Sequence, residues 1–267
     1  MTVTNTKNKP LAGTDVAVPC TATSFDLFTG SEAVGQVCAD ATTDASGMVA
    51  EALLPAPSAD VVVTPPKGYC KTTVHGLSVQ ADSTITIQLP RASCATISES
   101  GFGPTAVSAK VGGVVQWDNA GTAVHSIVDS TGMGLFDSGP MAPGDSFTFS
   151  FPSAGVYSLR DQDSSFAGSV KVAPSASPQS GDVTTAFTIT WSAAPPEAGF
   201  AFDVQVKRPG SSTWSNWTTG TTAVAAGFAP DAGAGTYTLH ARLRKLSGGA
   251  ASKWSPAVSI SVSARRS

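Results

Sequence analysis

Three histidines, four cysteines and one close pair of carboxylates are the residues of this chain whose chemistry reaches beyond packing. The histidines stand at positions 75, 125 and 240 of 267. A Ser-His-Asp triad or a multi-histidine metal centre would have to be assembled across domain boundaries from one imidazole each. Asp161 and Asp163 lie two residues apart in an expected loop, which suits solvated turn residues better than an acid and a base held apart by environment. Cys20, Cys38, Cys70 and Cys94 show neither Cys-x-x-Cys spacing nor a recognisable partner histidine, so they read as disulfides from an oxidising compartment. Four cysteines allow three connectivities. The expected pairs are Cys20 with Cys38 across a hairpin-like excursion, and Cys70 with Cys94 tying the T-P-P-K-G-Y loop to the exit of the first domain. No enzyme activity is expected from this inventory.

The elements that must position these residues are strands. Charged residues make up only 13% of the chain, and 26 glycines and 18 prolines punctuate it. Runs such as A-D-V-V-V-T and S-T-I-T-I-Q-L alternate with a period of two, and no stretch sustains a period of 3.6 with caps. The fold class expected is all-β, as three β-sandwich domains in series. Net charge is −3 and the basic residues form no face, Arg265-Arg266 at the end being their one run, so nucleic acid is not an expected partner. No apolar run approaches the roughly 20 residues of a membrane span. After Met1 the chain reads T-V-T-N-T-K-N-K-P, without the basic start and apolar stretch of a secretory signal. With the cysteines, this fits a mature or trimmed extracellular or cell-surface chain.

From Phe102 to Val172 the chain carries V-G-G, then Q-W-D-N, a histidine shortly after, P-G-D-S-F-T-F-S-F, G-V-Y and a closing G-S-V-K-V. This layout resembles the cupredoxins, the plastocyanin-like Greek-key sandwiches. The resemblance places the first copper imidazole at His125. It also places Asp161 where the family has its cysteine, Ser164 where it has the second histidine, and Phe166 where it has the methionine. A blue-copper site needs two imidazoles and a thiolate, so no cofactor is expected. The alternative is copper, or zinc, in a non-blue nitrogen and oxygen set of His125 with Asp161 or Asp163. In the copper-binding relatives the same end of the sandwich docks partners, which points to His125 and the segment from Arg160 to Phe166. Alternation predicts a core of Val111, Val114 and Trp117, of Phe147, Phe149 and Phe151 on one face, and of Val156, Tyr157 and Leu159.

Residues 1–93, with P-L-A-G, T-D-A-S-G and T-P-P-K-G-Y, resemble the prealbumin-like sandwiches of collagen-adhesin B repeats and carboxypeptidase regulatory domains. That implies a stalk or adhesive module. In some such domains a lysine condenses with an asparagine or aspartate beside a buried carboxylate. Lys7 or Lys9 and Glu51 lie in suggestive places, but a surface lysine and a surface glutamate are the reading preferred here.

Residues 94–173 form the cupredoxin-like unit, 174–182 a short polar linker, and 183–267 the last domain. The last resembles fibronectin type III, with Trp191 as its buried tryptophan and Tyr237 as the corner tyrosine whose hydroxyl bonds back to the chain. His240 reads as a half-exposed strand residue. Trp214 and Trp217, three apart, fall on opposite faces of a regular strand. An outward tryptophan would suit a protein or carbohydrate partner. Asn216-Trp217-Thr218 meets the glycosylation sequon. Open edge strands leave room for self-assembly. The function expected is a non-enzymatic extracellular modular β-protein with a surface, adhesive or filament-forming role, and the alternative is a copper protein of altered site.

Overall fold

In the computed structural model, the residues described are 1–19, 37–49, 56–79 and 84–265. Among them there is no helix, and the chain is all-β as expected. In the first part lie β1 (Thr2–Asn5), β2 (Asp15–Pro19), β3 (Val37–Thr42), β4 (Ala56–Thr64), β5 (Thr72–Val79) and β6 (Thr86–Leu89). A four-stranded sheet runs β3-β2-β4-β5, and β1 pairs in parallel with β6. Alternating residues of these strands, among them Val3, Val61, Val63 and Leu89, close one apolar core.

The middle part holds β7 (Ala92–Ser98), β8 (Gly101–Gly103), β9 (Ala106–Lys110), β10 (Gly113–Asn119), β11 (Ile127–Asp129), β12 (Ser146–Phe151), β13 (Gly155–Asp161) and β14 (Ala167–Ala173). They form two four-stranded sheets, β12-β10-β7-β8 and β11-β13-β14-β9, and the chain passes repeatedly from one to the other. Trp117, Phe151, Tyr157 and Leu159 are almost wholly buried between them. Phe147 and Phe149 are half-buried, and their rings gather with Trp117 around Phe136. On β10 it is Val115, in phase with Trp117, that is fully buried, while Val114 faces partly out.

The last part holds β15 (Ser175–Ser177), β16 (Ser180–Asp182), β17 (Phe187–Thr190), β18 (Phe200–Lys207), β19 (Ser215–Thr221), β20 (Ala225–Phe228), β21 (Gly235–Lys245) and β22 (Val258–Ser263). Three strands, β15-β17-β20, face five, β16-β22-β21-β18-β19. Trp191 is buried and donates its indole N–H to the Ala223 carbonyl at 2.7 Å. The Tyr237 hydroxyl donates to the Gly233 carbonyl at 3.0 Å, the bond back to the chain expected of it.

The segment 174–182, expected as a linker, is built into this part as β15 and β16. Its serines and glycine have little to bury, but a sheet ladder is made by backbone groups, so side-chain polarity does not prevent pairing. The middle and last parts also share one continuous apolar cluster. Val156 and Lys253 exchange backbone hydrogen bonds of 2.9 and 3.0 Å, and Ala154 N–H donates to the Trp191 carbonyl at 2.7 Å.

Candidate functional site

The middle sandwich presents its most polar buried cluster at one end, where β10 runs out at Asn119 and the chain turns back through Ala120–Ser126 into β11. Asn119 organises this turn from inside: its amide donates to the Ala123 and Met141 carbonyls at 2.8 Å each, and its oxygen accepts from Gly121 N–H at 2.9 Å. Glu99 grips the same turn from outside, accepting from Ala123 N–H at 2.8 Å and from the Thr122 hydroxyl at 3.0 Å. Backbone N–H donors, its own and those of Thr122 and Ala123, hold its carboxyl down to about 2. His125 follows, fixed by reciprocal backbone bonds with Met141.

Asp161 reaches the cluster from the other sheet. Along β13 the residues alternate, so Tyr157, Leu159 and Asp161 share the inward face while Arg160 points out. The Asp161 side chain is 0% exposed, that of His125 5%, and Oδ2 lies 2.8 Å from Nδ1. A carboxylate only accepts, so Nδ1 carries the proton in this bond. Oδ2 also accepts from the Ser164 hydroxyl at 2.6 Å, and Oδ1 accepts from Ser126 N–H at 3.0 Å and Asp163 N–H at 3.3 Å. Burial pushes the Asp161 carboxyl up, but the bonds from Ser164, Ser126, His125 and Asp163 together outweigh it and hold the group below the usual aspartate range. Nε2 of His125 is buried without a partner.

The positions that the sequence resemblance assigns to three ligands therefore meet: His125, Asp161 and Ser164 form one hydrogen-bonded knot. Asp163 joins it through its backbone N–H, and its residue is exposed. Phe166 is half-buried, its ring lying against Gly101, where a Cβ would meet it at 3.2 Å. Of the residues expected to meet a partner here, Arg160 is exposed whereas His125 is only 4% exposed. Among the described residues, no group of three or more His, Cys, Asp or Glu side chains is arranged to hold a metal ion.

These donors do not fit type 1 copper. A carboxylate stands where the thiolate is needed, it is saturated by hydrogen bonds, and Cys70 and Cys94 are joined to each other as expected. Cys20, and with it the expected Cys20–Cys38 pair, Glu51 and the end of the basic run at Arg266 lie outside the described residues. Lys7 and Lys9 are exposed.

A second polar assembly covers the five-stranded sheet of the last part. His240 is stacked between Trp214, 3.6 Å away centre to centre, and Trp254, 4.4 Å away, each tilted by 10°. Lys207 lies over Trp214 at 5.2 Å and Arg242 over Trp254 at 4.6 Å. The ladder buries His240 to 7% exposure, against the half-exposed position expected, because both ring faces are covered by residues distant in sequence. Burial first, then the positive charges of Arg242 and Lys207, push its imidazole down to about 4. Nε2 bonds the Gln205 oxygen at 2.9 Å, and the Gln205 amide donates to the Asn216 oxygen at 2.9 Å. Trp214 thus has its faces occupied within the chain. Trp217 points the other way and meets Trp191 and Phe228 edge-on. The two tryptophans thus take the opposite faces expected of them, and Trp217 packs against the core.

An apolar crevice of about 390 Å³ lies between the middle and last parts. Phe151, Tyr157 and Phe202 in its lining are already almost wholly buried, so it offers little ring surface.

No family model matches the chain, and no curated protein matches it. Among solved structures, a purple cupredoxin from Nitrosopumilus maritimus is 26% identical, covering 30% of this chain and 98% of that one with a TM-score of 0.29. The Cu(I) form of an amicyanin mutant is 22% identical, covering 30% of this chain and 81% of that one, also with a TM-score of 0.29. The reduced Cu(I) form at pH 4 of another amicyanin mutant is 20% identical and covers 34% and 87%, with a TM-score of 0.29. Each of these alignments covers about a third of this chain. Among the described residues no helix is long and apolar enough to cross a membrane.

Proposed function

We propose that this chain is a non-enzymatic, extracellular array of β-sandwich units with a structural or surface-binding role, in which the ligand end of the cupredoxin-like unit is a structural knot. The observation that carries this is the Asp161 carboxylate: it is wholly buried and accepts from His125, Ser126, Asp163 and Ser164. A buried charge so fully bonded stabilises the loop that contains it, and recruiting a metal there would break bonds already made. The low charge of the chain and its cysteines support an extracellular setting. A protein or carbohydrate partner would meet the exposed parts of the array, Arg160 among them.

A copper protein of altered site remains the second reading, because His125 Nε2 is a buried nitrogen without a partner. The deciding experiment is a Cu(II) titration of the oxidised protein followed by absorption and EPR spectra, with His125→Ala beside it. The structural reading expects only weak binding that is unchanged in the variant. A single tight equivalent lost in His125→Ala would make the metal reading primary, and an intense visible band would overturn the ligand assignment altogether.

A further inference from the structure

Beyond the chain connection at Pro90–Arg91, where Arg91 lies over the Tyr69 ring at 5.5 Å, two contacts among the described residues join the first part to the middle sandwich, one covalent and one not. At the first, the Cys70–Cys94 disulfide brings the chain just before β5 onto β7, with Cα atoms 5.4 Å apart. Beside it, the Gln116 amide on β10 donates to the Lys71 carbonyl at 2.8 Å and to the Thr72 hydroxyl at 3.1 Å. The second point lies three residues further along β5, roughly 10 Å at strand rise. There His75 reaches across to the turn before β12, its Nε2 3.2 Å from Asp145 Oδ1, while its Nδ1 is 2.9 Å from Asp60 Oδ2 on the neighbouring strand β4.

Both carboxylates are held in place by other bonds. Asp60 Oδ1 accepts from Gly76 N–H at 3.0 Å, and Asp145 Oδ2 accepts from Ala142 N–H at 2.6 Å. Gly144, next to Asp145 in this turn, takes a φ of +87°, the left-handed backbone that glycine favours. Among the described residues, the other charged groups between the two parts are Lys71 and Asp118, which line the adjacent cleft, and Arg91, which lies over Tyr69; β5 itself carries no other charged side chain.

A neutral imidazole has one N–H and one lone pair. With a carboxylate facing each nitrogen, the neutral ring satisfies one and turns its lone pair on the other, whereas the imidazolium donates to both. We propose that His75 is a proton-dependent latch that fixes the orientation of the first part on the middle sandwich, with the Cys70–Cys94 region as its pivot. The latch is engaged while the ring is protonated and released as the ring loses its proton. The three side chains are 35–45% exposed, so the contact is screened by salt, and the device sets orientation rather than fold.

The test is nuclear spin relaxation of the intact oxidised protein at about pH 5 and about pH 8, the interval in which imidazoles titrate. It compares the tumbling of residues in β4 with that of residues in β10. The ratio of docked to undocked forms is expected to fall by about two- to fivefold over that interval, the range of an exposed ion pair, and to lose this response in His75→Ala. Asp145→Asn sits in the other part and leaves His75 and Asp60 in place, so its expected loss of pH response separates the latch from any unfolding of the first part. Coupling that does not change with pH in the unmodified protein, or a pH response retained in both variants, would overturn the proposal.

Discussion

The carboxylate of Asp161, the last residue of β13, lies 2.8 Å from Nδ1 of His125, a turn residue that precedes β11, and both side chains are buried. The pair joins strand end to turn across 36 residues of sequence. A carboxylate at this position needs no metal to be satisfied, because the chain supplies its donors. The consequence is a sandwich end whose integrity depends on one ionised side chain.

Replacing Asp161 by Ala should therefore destabilise the protein by about 3–5 kcal/mol, the cost of breaking a buried pair and leaving its partners orphaned. Asp161→Asn, which keeps one acceptor, should cost less, about 1–3 kcal/mol. Urea unfolding measures both. Since the folded carboxyl is held below its ordinary value, its contribution is present above the unfolded value of about 3.9 and is lost as pH falls through the lower folded value. The acid limb of the stability curve should be shallower in Asp161→Asn.

His240 has a linkage of the same sign, displaced to higher pH. Its folded imidazole is pushed down to about 4, against about 6.5 when unfolded. The unfolded chain binds the extra proton between those values, so stability is full above about 6.5 and falls as pH drops towards 4. His240→Phe keeps a flat ring between Trp214 and Trp254 and removes the titration. Unfolding free energies measured across that interval should slope less in the variant than in the parent, and an unchanged slope would place the acid sensitivity elsewhere.

Tyr157 and Tyr237 make the same bond in the two sandwiches. Each hydroxyl donates to the carbonyl four residues earlier, Ser153 at 2.8 Å and Gly233 at 3.0 Å. Each is met by a second polar group, the Ser153 hydroxyl at 2.7 Å and Ala232 N–H at 2.7 Å. Tyr157→Phe should cost about 1–3 kcal/mol, because the buried Ser153 loses a partner, and Tyr237→Phe about 0.5–1.5 kcal/mol, because Ala232 and Gly233 are exposed and water can replace the hydroxyl. Thermal unfolding should show the two losses adding, since the sites share no partner.

Removing the Cys70–Cys94 bridge by Cys70→Ser with Cys94→Ser should lower stability by about 3 kcal/mol for a sequence separation of 24 residues in the chain-entropy description. Limited proteolysis should then cut first around residues 65–71, where the first part has lost its tether. A cleavage pattern identical to that of the oxidised protein would show that the non-covalent contacts, those of Gln116 and of His75 with Asp145, hold the joint without the bridge.

Alternation and turn residues determined the all-β class, the buried Trp117, and the inward faces of F-T-F-S-F and of Tyr157 and Leu159, because a period of two is a local property of an extended chain; the burial of Trp191 is an expectation from resemblance. The same alternation, continued two residues beyond Leu159, already placed Asp161 on the inward face. The polar run after Leu159 reads as a loop in the sequence, whereas β13 runs on to include Asp161. The roles of Glu99 and Asn119 left less trace, since a carboxylate that grips backbone N–H groups 23 residues away looks like any exposed glutamate.

Tertiary structure alone decided the rest. It set Trp254 against His240, His75 against Asp145, and the 174–182 segment into two sheets, because each depends on which surfaces pack together. Residue types made those contacts available. Only the folded arrangement of the sheets brought an imidazole within reach of a carboxylate 70 residues away in the chain.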